Sequence, residues 1–202
     1  MGLWRTCSPE PVFRNVTRGR SVGQDLRPAA EVGSGGAPVE VSMISWNELE
    51  TAAPQIAQLG RQRLDLSRVA LLGTLRKDGS PRISPVEPYL SQGHLLFGAM
   101  AWSLKTRDLL RDPRCVLHSA ITSPDTGEAE FKLYGRAMEA STELRQGCSH
   151  GWWQAQPSAA AVVFGLSIDH ATLVEWELER GRMVVRRWSE RGGLTETSRR
   201  YP

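Results

Sequence analysis

Cysteine is scarce in this chain and badly spaced for either of its structural uses. Cys7, Cys115 and Cys148 are odd in number, far apart and without a C-x-x-C pair, so neither a disulfide framework nor a zinc site is implied, and a reducing cytoplasm is the natural compartment. Histidine is equally thin: His94, His118, His150 and His170 are separated and show no metal-ligand spacing. No run of about 18 apolar residues occurs and the N-terminus lacks the apolar core of a secretory signal, so a soluble, non-exported protein with no membrane partner is expected. A dominant charge is missing too. The 25 basic residues stand against 22 acidic ones, leaving +3 and a pI near 9.0. That excess is too small and too evenly spread for a nucleic-acid partner, although it suits anionic small molecules.

What is present suffices for one core. A chain of 202 residues with 40% hydrophobic content can bury a single domain with loose ends. Residues 1–42 carry scattered arginines, four prolines and the cluster Gly33-Ser34-Gly35-Gly36 without sustained periodicity. They read as a disordered extension, with Met43 as an alternative natural start. Residues 43–190 form the domain, and residues 191–202 read as a frayed polar tail. Ser45 and Glu48 fit a capping box, and Trp46, Leu49, Ala53, Ile56, Leu59 and Leu64 recur at helical spacing. A helix over 45–64, kinked or divided at Pro54, follows, its apolar stripe lidding one end of a barrel.

The organising stretch runs from Val69 to Arg107. An apolar strand over Val69–Leu75 leads into Asp78-Gly79, the pair suited to a type I′ turn. The next strand, Arg82–Leu90, contains Pro85 and Pro88. Two missing donors place it at an edge or bulge, with free backbone groups of the kind a planar heterocycle requires. Gln92-Gly93 turns the chain into His94–Met100. Ser103 then caps a helix that ends at Asp112-Pro113. Open amides at that helix start, with Ser103, Lys105, Thr106 and Arg107, form a candidate phosphate site. Further strands over Arg114–Ile121 and Glu130–Ala140, a helix over about 142–154 and a last hairpin around Arg180-Gly181 bring the count to about seven strands. The fold class is mainly β with inserted helices, a small antiparallel barrel.

The order DGSPRISPVEPYL, GHLLFGAM and SLKTRDLLRDPRCVL resembles the FMN-binding split-barrel superfamily, which includes pyridoxamine 5′-phosphate oxidase and the flavin and deazaflavin oxidoreductases. The shared features are a D-G-x-P hairpin, a following S-P-V strand and an S-x-K helix start closed by a D-P-R turn. The resemblance implies a split β-barrel of about six or seven antiparallel strands, a homodimer with its cofactor at the interface, and FMN or the deazaflavin coenzyme F-420 as cofactor. It implies that Arg82, Ile83, Ser84, Pro85 and Val86 line the ring, largely through backbone groups, and that Ser103, Lys105 and Arg107 hold the phosphate. Hydride transfer to or from a small organic substrate would follow, with no nucleophile triad needed because the chemistry belongs to the cofactor ring.

Two departures stand out. Gly98, Ala99 and Met100 occupy the place where the family often has a serine or threonine, leaving room for a differently shaped cofactor. The C-terminal hairpin lacks the arginine-histidine substrate motif of the true pyridoxamine phosphate oxidases, so that reaction is not assigned. A basic track of Lys105, Arg107, Arg111 and Arg114 would suit the longer anionic tail of coenzyme F-420, interrupted by Asp108 and Asp112. The Glu128/Glu130 pair is expected to face solvent or a turn. Among the tryptophans, Trp176 and Trp188 are preferred over Trp152-Trp153 as ring contacts. The competing reading is a non-catalytic protein that stores or carries flavin, deazaflavin or haem on the same fold.

Overall fold

Two strands separated by one residue lie at opposite ends of the main strand path, and this sets the curl of the sheet. The computed structural model describes residues 44–121 and 128–201; the expected N-terminal extension and the Pro124–Gly127 turn lie outside them. The described residues form nine strands, all antiparallel to their neighbours: β1 Ala70–Leu75, β2 Pro81–Val86, β3 Pro88–Ser91, β4 His94–Met100, β5 Arg114–Ser119, β6 Glu130–Glu139, β7 Ala161–Glu177, β8 Arg182–Ser189 and β9 Gly193–Arg200. The main path is β2-β1-β5-β6-β7-β4-β3, with β8 and β9 added to β7. Only Glu87 joins β2 to β3, so the sheet must curl until its two edges nearly meet. It does not close: β2 pairs with β1 alone and β3 with β4 alone. The fold is a split β-barrel.

The proline-bearing segment is thus two edge strands rather than one. Pro85 and Pro88 fall on β2 and β3, where a missing N–H need not break a ladder. Two turns differ in kind. Ser91 pairs with His94, and Gln92 and Gly93 both have positive φ, 50° and 77°, the signature of a type I′ turn. After β1, only Gly79 has positive φ, 81°. The expected type I′ turn at Asp78-Gly79 is therefore replaced by a turn over Arg76–Gly79, in which Gly79 N donates to Arg76 O.

Helices close one end. The Ser45–Glu48 capping box forms in both directions, α1 spans Trp46–Ala52, and Pro54 opens α2, Pro54–Ser67, at a first-turn position where its missing N–H costs nothing. Trp46, Leu49, Ile56 and Leu64 join Leu72, Phe97, Leu117, Phe131 and Phe164 in one buried core, each full burial contributing about 1.5–3 kcal/mol. Contact is close: a Cβ on Gly60 would lie 2.5 Å from the Phe131 ring. A second, smaller core lies outside β4, where Leu96, Cys148, Trp153, Ala161 and Val163 pack. It is built by α4, Thr142–Gly147, and a 3-10 turn over Trp152–Ala155, so the helix expected over 142–154 divides at its glycines.

β7 is the longest strand among the described residues. Its first part pairs with β4 and its second with β8, while β6 pairs with its middle, from Phe164 to Val174. A bulge sits where Tyr134 opposes His170 but Gly135 opposes Ile168. A Cβ on Gly135 would lie 1.9 Å from Ser167 O, so glycine is what allows the strands to pass there. Residues 193–200, expected to fray, pair with β8 along its whole length. Arg186 fastens them, its guanidinium reaching Glu196 at 2.7 Å and also Glu175 on β7. Glu128 and Glu130 do not form a solvent-facing pair: Glu128 meets Arg63 at 2.9 Å, whereas Glu130 meets His118 at 3.0 Å and Lys132. No helix among the described residues is long and apolar enough to cross a membrane.

Candidate functional site

The split holds the candidate site. Between the free edge of β2 and the start of α3, Leu104–Arg111, lies a groove of about 640 Å³ lined by Arg76, Pro81 to Ser84 and Trp102 to Lys105. A smaller groove of about 250 Å³ is lined by Pro85, Val86, Glu87, Gly98, Met100, Lys105 and Trp152, among others. Lys105 borders both. Register decides which side each β2 residue takes: Arg82, Ser84 and Val86 oppose the buried Thr74, Leu72 and Ala70, while Ile83 and Pro85 point outward with Leu71 and Gly73. The five β2 residues picked from the sequence thus line one continuous edge, with their side chains divided between two faces.

The helix start redistributes the expected roles. Thr106 is fully buried; its hydroxyl donates to Met100 O at 2.8 Å and lies 2.9 Å from Ser103 Oγ. A hydroxyl has one proton. Thr106 gives its own to Met100, so Ser103 must donate to Thr106, and Ser103 Oγ also accepts from Thr106 N. Ser103 therefore caps, and neither hydroxyl has a proton left for a ligand. What remains open is the pair of first-turn amides on Leu104 and Lys105 together with the Lys105 ammonium. Lys105 is half-buried and has no carboxylate partner among the described residues.

Arg82 is otherwise engaged. Its Nε donates to Asp108 Oδ2 at 2.6 Å, Thr74 Oγ1 donates to the same oxygen at 3.2 Å, and Arg111 reaches Oδ1 at 3.4 Å and also Leu75 O. Burial pushes the Asp108 carboxyl up, but the hydrogen bonds from Arg82 and Thr74 outweigh it and hold the group below the usual carboxylate range. Arg114 is likewise spent, with two nitrogens on Asp112, whose carboxyl falls to about 2. The basic track read from the sequence therefore loses Arg111 and Arg114. Arg107 lines a neighbouring groove of about 610 Å³ together with Arg76 and Lys77. Arg76 borders both this groove and the first, and the sequence reading missed it; its only signal was a cation directly before the Asp-Gly turn.

Two further expectations change. The space left by Gly98 is filled from within: a Cβ there would lie 2.6 Å from the Trp153 ring and 3.0 Å from that of Trp152. The glycine makes room for tryptophan rather than for a differently shaped cofactor. Trp152 accordingly lines the groove, whereas Trp188 is buried in the main core. Trp102, absent from the expected set, is 78% exposed on the groove wall.

The architecture has solved counterparts. A pyridoxamine 5′-phosphate oxidase-related, FMN binding protein from Nostoc punctiforme superposes with a TM-score of 0.54 at 12% identity, over 73% of this chain and 95% of that one. PhzG from Burkholderia lata gives 0.54 at 14% identity, over 74% and 93%. A heme binding protein from Mycobacterium smegmatis gives 0.50 at 17%, over 73% and 89%. The fold is that of the pyridoxamine 5′-phosphate oxidase-like split barrels, and at these identities the likeness is one of fold. No family model matches the chain, and no curated protein matches it by sequence.

Proposed function

We propose that this protein is an oxidoreductase that binds FMN or the deazaflavin coenzyme F-420 in the split of its barrel and transfers hydride to or from a small organic substrate. The observation that carries the reading is Lys105, a half-buried ammonium without a carboxylate partner among the described residues, at the junction of two grooves and beside two open amides. That donor set fits a phosphate. The edge strand β2 offers backbone groups to a heterocycle, and Trp102 and Trp152 offer apolar walls. Hydride chemistry belongs to the cofactor ring when it is bound. The chain's residues bind the anion, align the ring along β2 and keep water from one side of it.

The same reading includes a homodimer. Ile83 is 71% exposed and Trp102 78% exposed, and with Leu104 they form an apolar rim on the groove of the kind that marks an interaction surface. A second subunit would cover this rim and complete the site. Light scattering tests it: a monomer with full cofactor affinity would sink the dimer.

A second reading is a carrier of the same cofactors without turnover, which would use the same donor set at Lys105. Haem suits the grooves less well, since Met100 alone among their lining residues is a usual axial ligand. The deciding experiment titrates the protein with FMN and with coenzyme F-420, for wild type and Lys105→Ala, and then assays turnover with reduced cofactor. Tight binding of either cofactor, weakened by the substitution, supports the site. Binding of neither would remove the proposal.

A further inference from the structure

A further pocket lies over β6, β7, β8 and β9, where β7 is four strands from β2 by way of β1, β5 and β6. It has a volume of about 460 Å³, and its lining includes Tyr134, His170, Thr172, Arg187, Ser189 and Gly193. The sheet register explains why it exists. Tyr134 opposes His170, His170 opposes Ser189, and Ser189 opposes Gly193. Side chains directly opposite one another share a face, so this row shrinks from phenol to imidazole to hydroxymethyl to hydrogen, and the surface sinks toward the β8–β9 turn. Gly193, with φ 62°, has open space where a Cβ would stand. Ser189 Oγ accepts from Gly192 N at 3.0 Å and fixes the turn that walls the pocket. In the neighbouring row Thr172 opposes Arg187 and Arg187 opposes Thr195, which puts the guanidinium diagonal to His170.

Three groups with hydrogen-bonding capacity meet here unspent. Tyr134, His170 and Arg187 have no side-chain hydrogen bond or ion pair among the described residues. The contrast with the adjacent residue is sharp: Arg186 is committed to Glu175 and Glu196. Tyr134 is 42% exposed, so its ring flank is presented to the pocket's opening as an apolar surface. A guanidinium is matched bidentately by a carboxylate, an exposed phenol ring by a flat apolar body, and an imidazole beside them by a further acceptor or donor.

We propose that the pocket formed by Tyr134, His170 and Arg187 at the β6–β7–β8 face binds a small planar carboxylate, such as an aromatic acid. The carboxylate sits on Arg187, the ring lies against Tyr134, and the tapering row toward Gly193 admits the ring edge. This site shares no lining residue with the barrel split, and it stands whether or not the cofactor reading holds.

The test uses the full chain with benzoate and its neutral isostere benzamide, followed by calorimetry and by the shift of the His170 ring resonances. Benzoate is expected to bind at least about tenfold more tightly than benzamide, the fold-change of one charge-assisted contact, and to move the His170 signals. Arg187→Gln should erase the preference, while Arg191→Gln, on the adjoining turn and outside the pocket, and Lys105→Ala should leave it intact. Equal binding of the two probes, an unmoved His170, or a preference that survives Arg187→Gln would overturn the proposal. Displacement of benzoate by FMN together with its loss in Lys105→Ala would assign the binding to the split instead, and overturn it equally. Should Arg187→Gln not fold, the wild-type comparison of the two probes at His170 decides alone.

Discussion

Arg82 Nε lies 2.6 Å from Asp108 Oδ2, so the cation on the free edge of β2 is anchored to a carboxylate on the buried side of α3. Thr74 on β1 donates to the same oxygen. One acidic side chain thereby ties together three elements, two of which flank the split, and holds the helix start and the edge strand at a fixed separation.

Removing that carboxylate is expected to be costly. Asp108 is 4% exposed, and breaking a buried pair leaves its partner's charge uncompensated, at about 3–5 kcal/mol when both groups are fully enclosed. Arg82 keeps a fifth of its side chain exposed, so we predict a loss of about 2–4 kcal/mol for Asp108→Ala in urea denaturation. A loss below about 1 kcal/mol would show that the pair does not hold the split.

The same group makes stability depend on acid. Its folded-state pKa is lowered, so its contribution is fully present above the unfolded value near 3.9 and is lost as pH falls through the folded one. Wild type should therefore lose stability relative to Asp108→Asn as pH drops below about 4. Parallel pH profiles for the two proteins would contradict this.

Lys105→Ala is expected to weaken binding of a phosphate-bearing cofactor by about 1.5–3 kcal/mol, the scale of a charge-assisted contact, with little change in unfolding midpoint. Ser103→Ala should behave in the opposite way. Because its hydroxyl caps α3 and serves Thr106, it should cost about 1 kcal/mol of stability and leave cofactor affinity largely unchanged.

Gly98→Ala places a methyl 2.6 Å from the Trp153 ring. Overpacking of this kind costs about 1–3 kcal/mol, and because Trp152 moves with it, intrinsic fluorescence and cofactor affinity should change together. An unshifted emission spectrum would mean that the tryptophans do not depend on the glycine.

Gly135→Ala meets backbone rather than side chain, with Ser167 O only 1.9 Å from the new carbon. No rotamer change relieves that contact, so β6 and β7 must separate. A destabilisation of about 3 kcal/mol or more is expected, larger than at Gly98. The comparison of the two alanine variants by thermal unfolding checks the order.

Features settled within a few residues were legible in the sequence. The capping box at Ser45 and Glu48, the division at Pro54, the Ser103 cap, the Gln92-Gly93 turn and the edge character of the proline-bearing strand all follow from backbone sterics and short-range hydrogen bonds, which the chain carries wherever it goes. The split barrel itself was legible through its apolar runs and the order of its motifs. Tertiary structure alone decided which polar groups were consumed and which stayed open. Arg82, Arg111 and Arg114 looked as available as Lys105 until Asp108 and Asp112 claimed them. Gly98 looked like vacant space until two tryptophans more than fifty residues later in the chain filled it. The tail became β9 because β8 offered a free edge and Arg186 offered a charge. Local propensity depends on neighbours in sequence, whereas the availability of a charge, a void or a strand edge depends on neighbours in space, and those are known only once the chain has folded.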